Sequence, residues 1–395
     1  MQCAVALSCQ TQVREAVKEL SASIRRQLVR SVDLLLVFFT PEYHAAIEKL
    51  SFALRHSLKP RVLLGCTGEG IIAGDRELEG TPSIAVLAAS LPGVALFPFA
   101  IPIADWESLL SDAHGSRIRQ RVGSVSPDPD ETRAFVLLAD PFSTPAVEWL
   151  QALDHAFPGI PAVGGMASGG VHPGDNRLIV QEEIIEDGAI GVRVAGPVRV
   201  DTVVSQGCRP IGDPLLVTGA EGNLILTLGG RPGLDVVREQ IERLRPEEQM
   251  LVLDGLFLGI VINEYQHAFE RGDFLVRHVL GVDQNTGAIA IGDNVRAGQT
   301  VQLHVRDAVM ADRDLRAQMA LAARDETAPL GGLIFSCNGR GSRLFDVPHH
   351  DIGCVLEAVP ETPIAGFFAA GELGPAGGRN FVHGNTACVA LFRPI

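Results

Sequence analysis

Short runs of consecutive apolar residues recur along the chain and alternate with segments that have helical spacing. Three such runs are DLLLVFFT from Asp33, AFVLLAD from Ala134 and GLIFSC from Gly332. Runs of this length are typical of buried strands. Apolar residues three and four apart predict helices over 11–29, 43–57, 145–157, 234–246 and 307–324. The pattern predicts an α/β (mixed α+β) protein whose mixed sheets carry helices on their outer faces.

The same order of elements is repeated in three segments: 33–90, 134–196 and 332–392. Each begins with a buried strand and continues through a helix to an apolar strand that proline introduces. That strand ends in a glycine-rich turn, which reads GCTGEG from Gly65, GGMASGG from Gly164 and GFFAAGE from Gly366. One more apolar strand closes each segment. We therefore expect repeated strand–helix–strand–strand units.

Other parts of the chain have the alternating apolar and polar pattern of antiparallel strands. This pattern covers 176–228, where Asp187-Gly188 is the predicted turn of a hairpin, and it returns over 256–306. It predicts an antiparallel, β-rich insertion. A surface loop is expected at 124–132 because this segment is polar and contains two prolines. We place the domain boundary near 225–250.

Composition limits the class of function. The 395 residues have a net charge of −14, which argues against nucleic acid as a partner. The sequence contains no apolar run long enough for a membrane helix and no signal peptide, so we expect a cytoplasmic protein without a membrane partner. Seven cysteines without a CxxC pair argue against structural zinc and disulfides. We predict neither a metal site nor a cofactor. Lysine occurs only at 18, 49 and 59.

Candidate ligand-binding residues cluster at turns that follow buried strands. Ligands of α/β proteins bind at the carboxyl ends of strands, and glycine lets the backbone approach a ligand closely. Arginine can bind a carboxylate and glutamate can accept hydrogen bonds from an ammonium group, so Arg340 and Glu372 suit an amino acid. The full candidate set is Cys66, Thr67, Glu69, Ser168, Asn338, Arg340, Glu372, Asn380, His383 and Asn385. We expect one pocket between the first and third repeats, with the middle turn serving mainly as framework.

These motifs resemble those of the FIST family, named for F-box and intracellular signal transduction proteins. The turn Gly65-Cys66-Thr67-Gly68-Glu69 resembles a shortened form of the family's N-terminal turn. The turn from Gly366 to Glu372 resembles its C-terminal counterpart. The segment that resembles the family's next motif contains Asn380, Phe381, His383, Asn385 and Thr386.

The resemblance implies a FIST N-like domain at 1–235 and a FIST C-like domain at 236–395. It also implies a sensory protein that binds a small polar metabolite, such as an amino acid or a related compound, and signals through a separate partner protein. Two alternatives stay open. One is a hydrolase or transferase that uses Cys66 or Thr386 as nucleophile, and the other is a protein-interaction scaffold. The sequence leaves the oligomeric state undetermined.

Overall fold

The computed structural model describes residues 1–112, 115–123, 131–253, 255–266, 268–269 and 272–395. Most of the surface loop predicted at 124–132 lies outside the described residues. The chain forms two compact units. The first contains Met1–Ser205, Leu315–Val382 and Thr386–Ile395, and the second contains Gln206–Asp314 and His383–Asn385.

The first repeat starts one strand and one helix earlier than the sequence pattern indicated. Its elements are β1 (Gln2–Ser8), α1 (Val13–Gln27), β2 (Leu34–Phe39), a 3-10 helix (Pro41–Ala46), α2 (Ile47–Leu58), β3 (Val62–Thr67), β4 (Gly70–Ala73), β5 (Arg76–Glu79) and β6 (Ile84–Ser90). Both predicted helices are confirmed within a few residues. Helix α1 forms because Val17, Leu20 and Ile24 share one face, and that face is buried.

The second repeat follows the same order. Its elements are β7 (Ala95–Ile101), a 3-10 helix (Ile103–Asp105), α3 (Trp106–Leu110), α4 (Ser116–Arg121), β8 (Thr132–Ala139), α5 (Ala146–Ala156), β9 (Ala162–Met166), β10 (Leu178–Val180), β11 (Glu183–Ile185) and β12 (Ala189–Ala195). Two short helices here replace the single α1 of the first repeat.

The third repeat begins with β13 (Val198–Gln206) and is then interrupted by the elements of the second unit. These are β14 (Cys208–Glu221), β15 (Leu224–Leu228), β16 (Arg231–Pro232), α6 (Gly233–Arg243), α7 (Pro246–Leu253), β17 (Leu256–Val261), β18 (Phe274–Val282), β19 (Ile289–Ile291) and β20 (Thr300–Arg306). The repeat resumes with α8 (Ala308–Ala322), β21 (Gly331–Cys337), a 3-10 helix (Gly341–Arg343), α9 (His350–Ala358), β22 (Ile364–Ala369), β23 (Glu372–Ala376), β24 (Arg379–His383) and β25 (Thr386–Pro394).

The second unit is an antiparallel barrel, which confirms the β-rich insertion that the alternating pattern predicted. Its strands pair in the order β14-β20-β17-β18-β19-β15, and β14 pairs with β15 to close the ring. Buried aliphatic side chains such as Val217, Leu258 and Leu303 form its core. Closure leaves no free edge among these six strands.

Three six-stranded sheets with the same strand order form the first unit. They are β1-β6-β2-β3-β10-β11, β7-β12-β8-β9-β23-β24 and β13-β25-β21-β22-β4-β5. In each sheet the two central strands that are joined by a helix run parallel. The last two strands come from the hairpin of another repeat. The hairpin of the first repeat completes the third sheet, that of the second completes the first, and that of the third completes the second.

This exchange overturns one prediction. Strand β11 was expected to form a hairpin with β12 across Asp187-Gly188. Instead, β11 pairs with β10 in the first sheet, while β12 lies in the second sheet between β7 and β8. The alternating pattern identified the strands correctly, but it contains no information about which sheet each strand joins.

The inner faces of the three sheets share one apolar core. In β2, Leu34, Leu36 and Phe38 belong to this core, together with residues of β8 and β21. The alternate residues Leu35, Val37 and Phe39 pack with α1 and α2 on the outer face. Because both faces of β2 are buried, this strand is apolar at every position.

A glycine occupies the same place in the third strand of every repeat. Gly65, Gly164 and Gly366 lie opposite residues of the preceding parallel strand. An added Cβ would lie 2.4 Å from the carbonyl oxygen of Val37, 1.8 Å from that of Leu137 and 1.6 Å from that of Ile334, respectively. Any side chain would therefore separate the central strands of the sheet.

We predict that Gly366→Ala lowers the free energy of unfolding by about 2–3 kcal/mol or more, because the methyl group must displace backbone. Gly353→Ala in α9 is the matched control, since a Cβ there meets no atom within 4 Å. The control should be neutral or stabilising by about 0.5–1 kcal/mol, the usual gain for alanine over glycine in a helix. Urea unfolding measures both. Equal stability of the two variants would contradict the close approach.

Candidate functional site

The glycine-rich turns of the three repeats meet within the first unit, and Ser168 joins them. The Ser168 hydroxyl accepts a hydrogen bond from the Glu69 amide at 2.7 Å and donates one to the Phe368 carbonyl. The Ser168 amide donates to the Thr67 carbonyl at 3.1 Å. The turn of the second repeat thus connects the turn of the first repeat to β22, the strand that precedes the turn of the third repeat.

Two of the candidates lie at the end of β3 and are fully buried. Cys66 belongs to the shared core, and burial raises the pKa of its thiol well above the ordinary value. Thr67 is held by polar contacts: its hydroxyl accepts from the Arg177 amide at 2.8 Å and lies 3.0 Å from Nε2 of His44. Burial, reinforced by the charge of Arg177, lowers the pKa of His44.

Glu69 forms an ion pair with Arg343 at the exposed edge of the turns. Its side chain is 35% exposed and that of Arg343 is 53% exposed. Arg343 also donates to the Asn338 carbonyl at 2.6 Å, and the Asn338 amide donates to the Ala369 carbonyl at 2.9 Å. Candidates Glu69 and Asn338 are therefore linked through an arginine that sequence reasoning had not selected.

Arg340 is completely buried and is paired with Asp351. Its Nε and Nη2 donate to the two carboxylate oxygens at 2.7 Å and 2.8 Å. Asp351 also accepts from the Ser336 hydroxyl at 2.5 Å. Burial alone would favour the neutral carboxyl, but Arg340 holds the pKa of Asp351 well below its usual range. Arg340 was expected to present its fork to a ligand, and most of that fork is already occupied by Asp351.

Glu372 is completely buried, and no arginine in the described part of the chain forms an ion pair with it. Its Oε2 accepts from the Thr386 amide at 3.0 Å and from the Thr386 hydroxyl at 2.7 Å. Burial raises the pKa of Glu372 to about 8, although hydrogen bonds from Thr386 and from the Cys337 side chain oppose the shift. At neutral pH this carboxyl is therefore mostly protonated.

Arg340 and Glu372 each keep one buried polar atom without a hydrogen bond to any described residue, Nη1 and Oε1 respectively. The charge of Arg340 lowers the pKa of Glu372, so the two groups interact electrostatically. An unsatisfied buried polar atom costs about 1–3 kcal/mol. Nη1 of Arg340 thus remains a donor without an acceptor, and Oε1 of Glu372 remains a polar oxygen without a partner in the described structure.

The remaining candidates are distributed differently. Asn380 is engaged by protein groups: its side chain accepts from the Ala162 amide at 2.7 Å and donates to the Ile160 carbonyl at 3.0 Å. His383 and Asn385 belong to the second unit. Asn385 is buried in the left-handed region with φ of 60°, and its carbonyl accepts from the Gly207 amide at 2.7 Å.

Sequence reasoning did not select Asp351, Arg343 or Glu77 as site residues. Glu77 in β5 is buried and accepts from the Ile352 amide at the start of α9, at 2.8 Å. Burial, together with the neighbouring charge of Asp351, raises the pKa of Glu77 to about 7. In the sequence, Glu77 is only an acidic residue within a short strand. The sequence does not indicate that β5 joins the third sheet, which places Glu77 against α9.

Comparison with known proteins identifies the family. Residues 33–231 match the FIST N domain and residues 233–375 match the FIST C domain. The chain belongs to the FIST family, and FIST domains are small-ligand sensory domains of signalling proteins. The boundary at 235 between N-like and C-like domains stays a prediction.

Mycobacterial proteins are similar over nearly the whole chain. An uncharacterized protein of Mycobacterium tuberculosis strain H37Rv is 42% identical over 395 residues, covering 99% of this chain and 100% of the relative. An uncharacterized protein of Mycobacterium bovis is 41% identical over 383 residues, covering 96% and 95%. The crystal structure of a cyanuric acid hydrolase from A. caulinodans aligns with 100% of this chain and 99% of its own, at 11% identity and a TM-score of 0.38. A score of this size assigns neither fold nor activity.

None of the helices that the structure describes combines the length and the apolar character needed to cross a membrane.

The raised pKa of Glu372 predicts a pH dependence of stability. A carboxyl whose pKa rises from 4.5 to about 8 on folding stabilises the folded state fully below pH 4.5, and this contribution is lost as the pH rises through 8. Glu372→Gln cannot ionise. The variant should therefore gain stability relative to wild type between pH 5 and pH 9, by up to a few kcal/mol.

Urea unfolding at several pH values measures the difference in free energy of unfolding between Glu372→Gln and wild type. Glu77 and the other titratable groups are present in both proteins, so their effects cancel in this difference. The exposed Glu107→Gln is the control and should follow wild type at every pH. A constant difference between Glu372→Gln and wild type from pH 5 to pH 9 would show that Glu372 does not titrate in this range.

Proposed function

We propose that this protein is a cytoplasmic sensor of a small polar metabolite, which binds in the first unit between Arg340 and Glu372. The observation that carries the proposal is that these two groups are fully buried, interact electrostatically and each retain an unsatisfied polar atom. Buried polar atoms of native proteins nearly always have partners. Two unpartnered atoms on two interacting ionisable groups support a ligand site, and membership of the FIST family supports a sensory role.

An amino acid or a closely related metabolite suits the two groups. Because Asp351 holds Nε and Nη2 of Arg340, only Nη1 is available, and it would contact a single carboxylate oxygen of the ligand. The ammonium group would lie at Oε1 of Glu372. An ammonium favours the ionised carboxyl, so binding would release the proton that Glu372 carries at neutral pH.

The other proposed site residues would act around this pair. Ser168 and the amides of the turns would fix its geometry, and the ion pair of Glu69 with Arg343 stands at the exposed edge of the same turns. The proposal also includes Cys66, Thr67, Asn338 and Asn380 as surrounding structure, and it keeps His383 and Asn385 as predicted ligand-binding residues. Signalling would proceed through a separate partner protein.

A thermal-shift screen with the twenty amino acids and small carboxylates tests the proposal, because a ligand of the native state raises Tm. We expect at least one compound to raise Tm and its affinity to increase from pH 6 to pH 8, as Glu372 ionises. Glu372→Gln should weaken binding about tenfold or more, and Glu107→Gln should not. Absence of any shift at millimolar concentrations, or an affinity that Glu372→Gln leaves unchanged, would contradict the proposal.

One observation favours an enzyme as second candidate. The Thr386 hydroxyl lies 2.7 Å from Oε2 of Glu372, so a base is within reach of one nucleophile suggested by the sequence. Attack by Oγ1 on an ester would form an acyl–oxygen bond and expel the alcohol, with Glu372 carrying the proton between them, and water would then release the acid and restore the Thr386 hydroxyl. Thr386 is buried, with 3% of the residue exposed, and Glu372 is mostly protonated at neutral pH, so the binding function is preferred.

Hydrolysis of p-nitrophenyl esters between pH 7 and pH 9 tests this candidate. If it is correct, turnover rises with ionisation of Glu372, Thr386→Val abolishes it and Thr386→Ser retains it. Turnover that persists in Thr386→Val, or its absence in wild type throughout this pH range, would reject Thr386 as nucleophile.

A further inference from the structure

A basic region on helices α1 and α2 contrasts with the acidic character of the chain. Residues 13–61 contain nine basic and five acidic side chains, a net charge of +4 in a protein whose net charge is −14. All three lysines of the sequence, Lys18, Lys49 and Lys59, lie in this region and are exposed. The charge of the whole chain does not explain this concentration, and neither does the ligand site.

The two helices border a groove of about 550 Å³ in which this basic character is strongest. Its charged lining consists of Arg14, Lys18, Arg25 and Lys49, and no acidic residue is among the residues that line it. Between these cations the lining consists of small side chains, which are the apolar Val13, Val17, Ala22 and Ala53 together with Ser21 and Ser57. The groove therefore combines an apolar floor with a rim of one sign of charge.

The four rim cations are not neutralised within the part of the chain that the structure describes. None of them has a carboxylate within ion-pair distance there, and Arg25 donates to the Ser57 carbonyl at 2.6 Å. Arg14 and Lys18 are four residues apart on α1, where like charges destabilise a helix by a few tenths of a kcal/mol. Glu19 follows Lys18 in the sequence, but its carboxylate is engaged elsewhere, because it accepts a hydrogen bond from the Ser8 hydroxyl at 2.6 Å.

We propose that the α1–α2 groove is a docking site for an acidic segment of a partner protein, with apolar side chains of that segment on the groove floor. Charge complementarity selects the occupant: four unpaired cations around small apolar residues match a peptide that carries both carboxylates and aliphatic side chains. This inference rests on the proposed function, because it describes the partner through which the sensor would signal. Its test changes residues of the groove and none of the ligand site, so the docking site and the ligand-binding function can be disproved separately.

Other polyanions match the groove less well. Nucleic acid would experience the field of a chain with net charge −14, and no aromatic side chain lines the groove for stacking on a base. An anionic membrane would require large apolar side chains that protrude from the surface, whereas no apolar side chain that lines the groove is larger than valine, and the exposed Phe52 of α2 lies outside this lining.

Fluorescence anisotropy with the full chain tests the proposal, using a labelled twelve-residue peptide that alternates Glu and Leu. The groove variant is Arg14→Glu, Lys18→Glu, Arg25→Glu and Lys49→Glu combined. The matched control combines Arg76→Glu, Arg238→Glu, Arg296→Glu and Arg324→Glu, four exposed arginines outside the groove. Both variants lower the net charge by the same amount, so long-range repulsion of the peptide is equal.

We expect wild type to bind the peptide saturably, with an affinity that decreases as the salt concentration increases. It should not bind a peptide in which Lys replaces Glu. The groove variant should lose at least tenfold in affinity, while the control stays within about threefold of wild type. Thermal unfolding verifies that both variants fold. Equal losses in the two variants, no saturable binding below millimolar peptide, or stronger binding to phosphatidylserine vesicles or duplex DNA than to the peptide would overturn the proposal.

Discussion

Exchange of hairpins between the three sheets is the constraint on which the first unit depends. Each repeat supplies four strands to its own sheet and sends two to another, so no repeat can complete a six-stranded sheet by itself. Strand pairs such as β4 with β22 join segments almost three hundred residues apart in sequence. Because such contacts form only after long loops close, stability must arise cooperatively from all three repeats rather than from each in turn.

The same exchange explains why polar groups gather at the turns. Where the chain leaves one sheet to enter the next, backbone amides and carbonyls lose the partners that a continuous strand would provide. Ser168 meets this demand by bridging the Glu69 amide and the Phe368 carbonyl. Glycine at these turns and in the strands before them allows the required close approach, as at Gly366, where a Cβ would overlap the Ile334 carbonyl. A candidate site thus arises from the way the sheets are joined.

The sequence predicted most secondary-structure elements correctly, but it did not predict which strands and side chains lie next to each other, and the reasons are physical. Periodicity identified the longer helices, the buried strands and the barrel strands because burial acts on each residue locally, but it did not predict the short helices α3, α4 and α7. Sheet membership at Asp187-Gly188 was predicted wrongly, since pairing depends on distant segments. The same limit applies to the site. Arg340 was recognised from its turn, but its partner Asp351 lies eleven residues away on a helix whose orientation is fixed by packing. Arg343 was missed because its role depends on Glu69, in another repeat.

The two buried carboxyl groups of the candidate site differ in a way that bears on sensing. Asp351 is compensated by Arg340, so it stays ionised and acts as a fixed part of the framework. Glu372 forms no ion pair with a described residue and is held by hydrogen bonds from Thr386 and Cys337, and its pKa of about 8 leaves it able to change charge near neutral pH. A core built for stability alone would favour an apolar residue at this position. If a cationic ligand displaced the proton of Glu372, binding would change the charge of this carboxyl. Arg340 interacts electrostatically with Glu372, so it would experience that change.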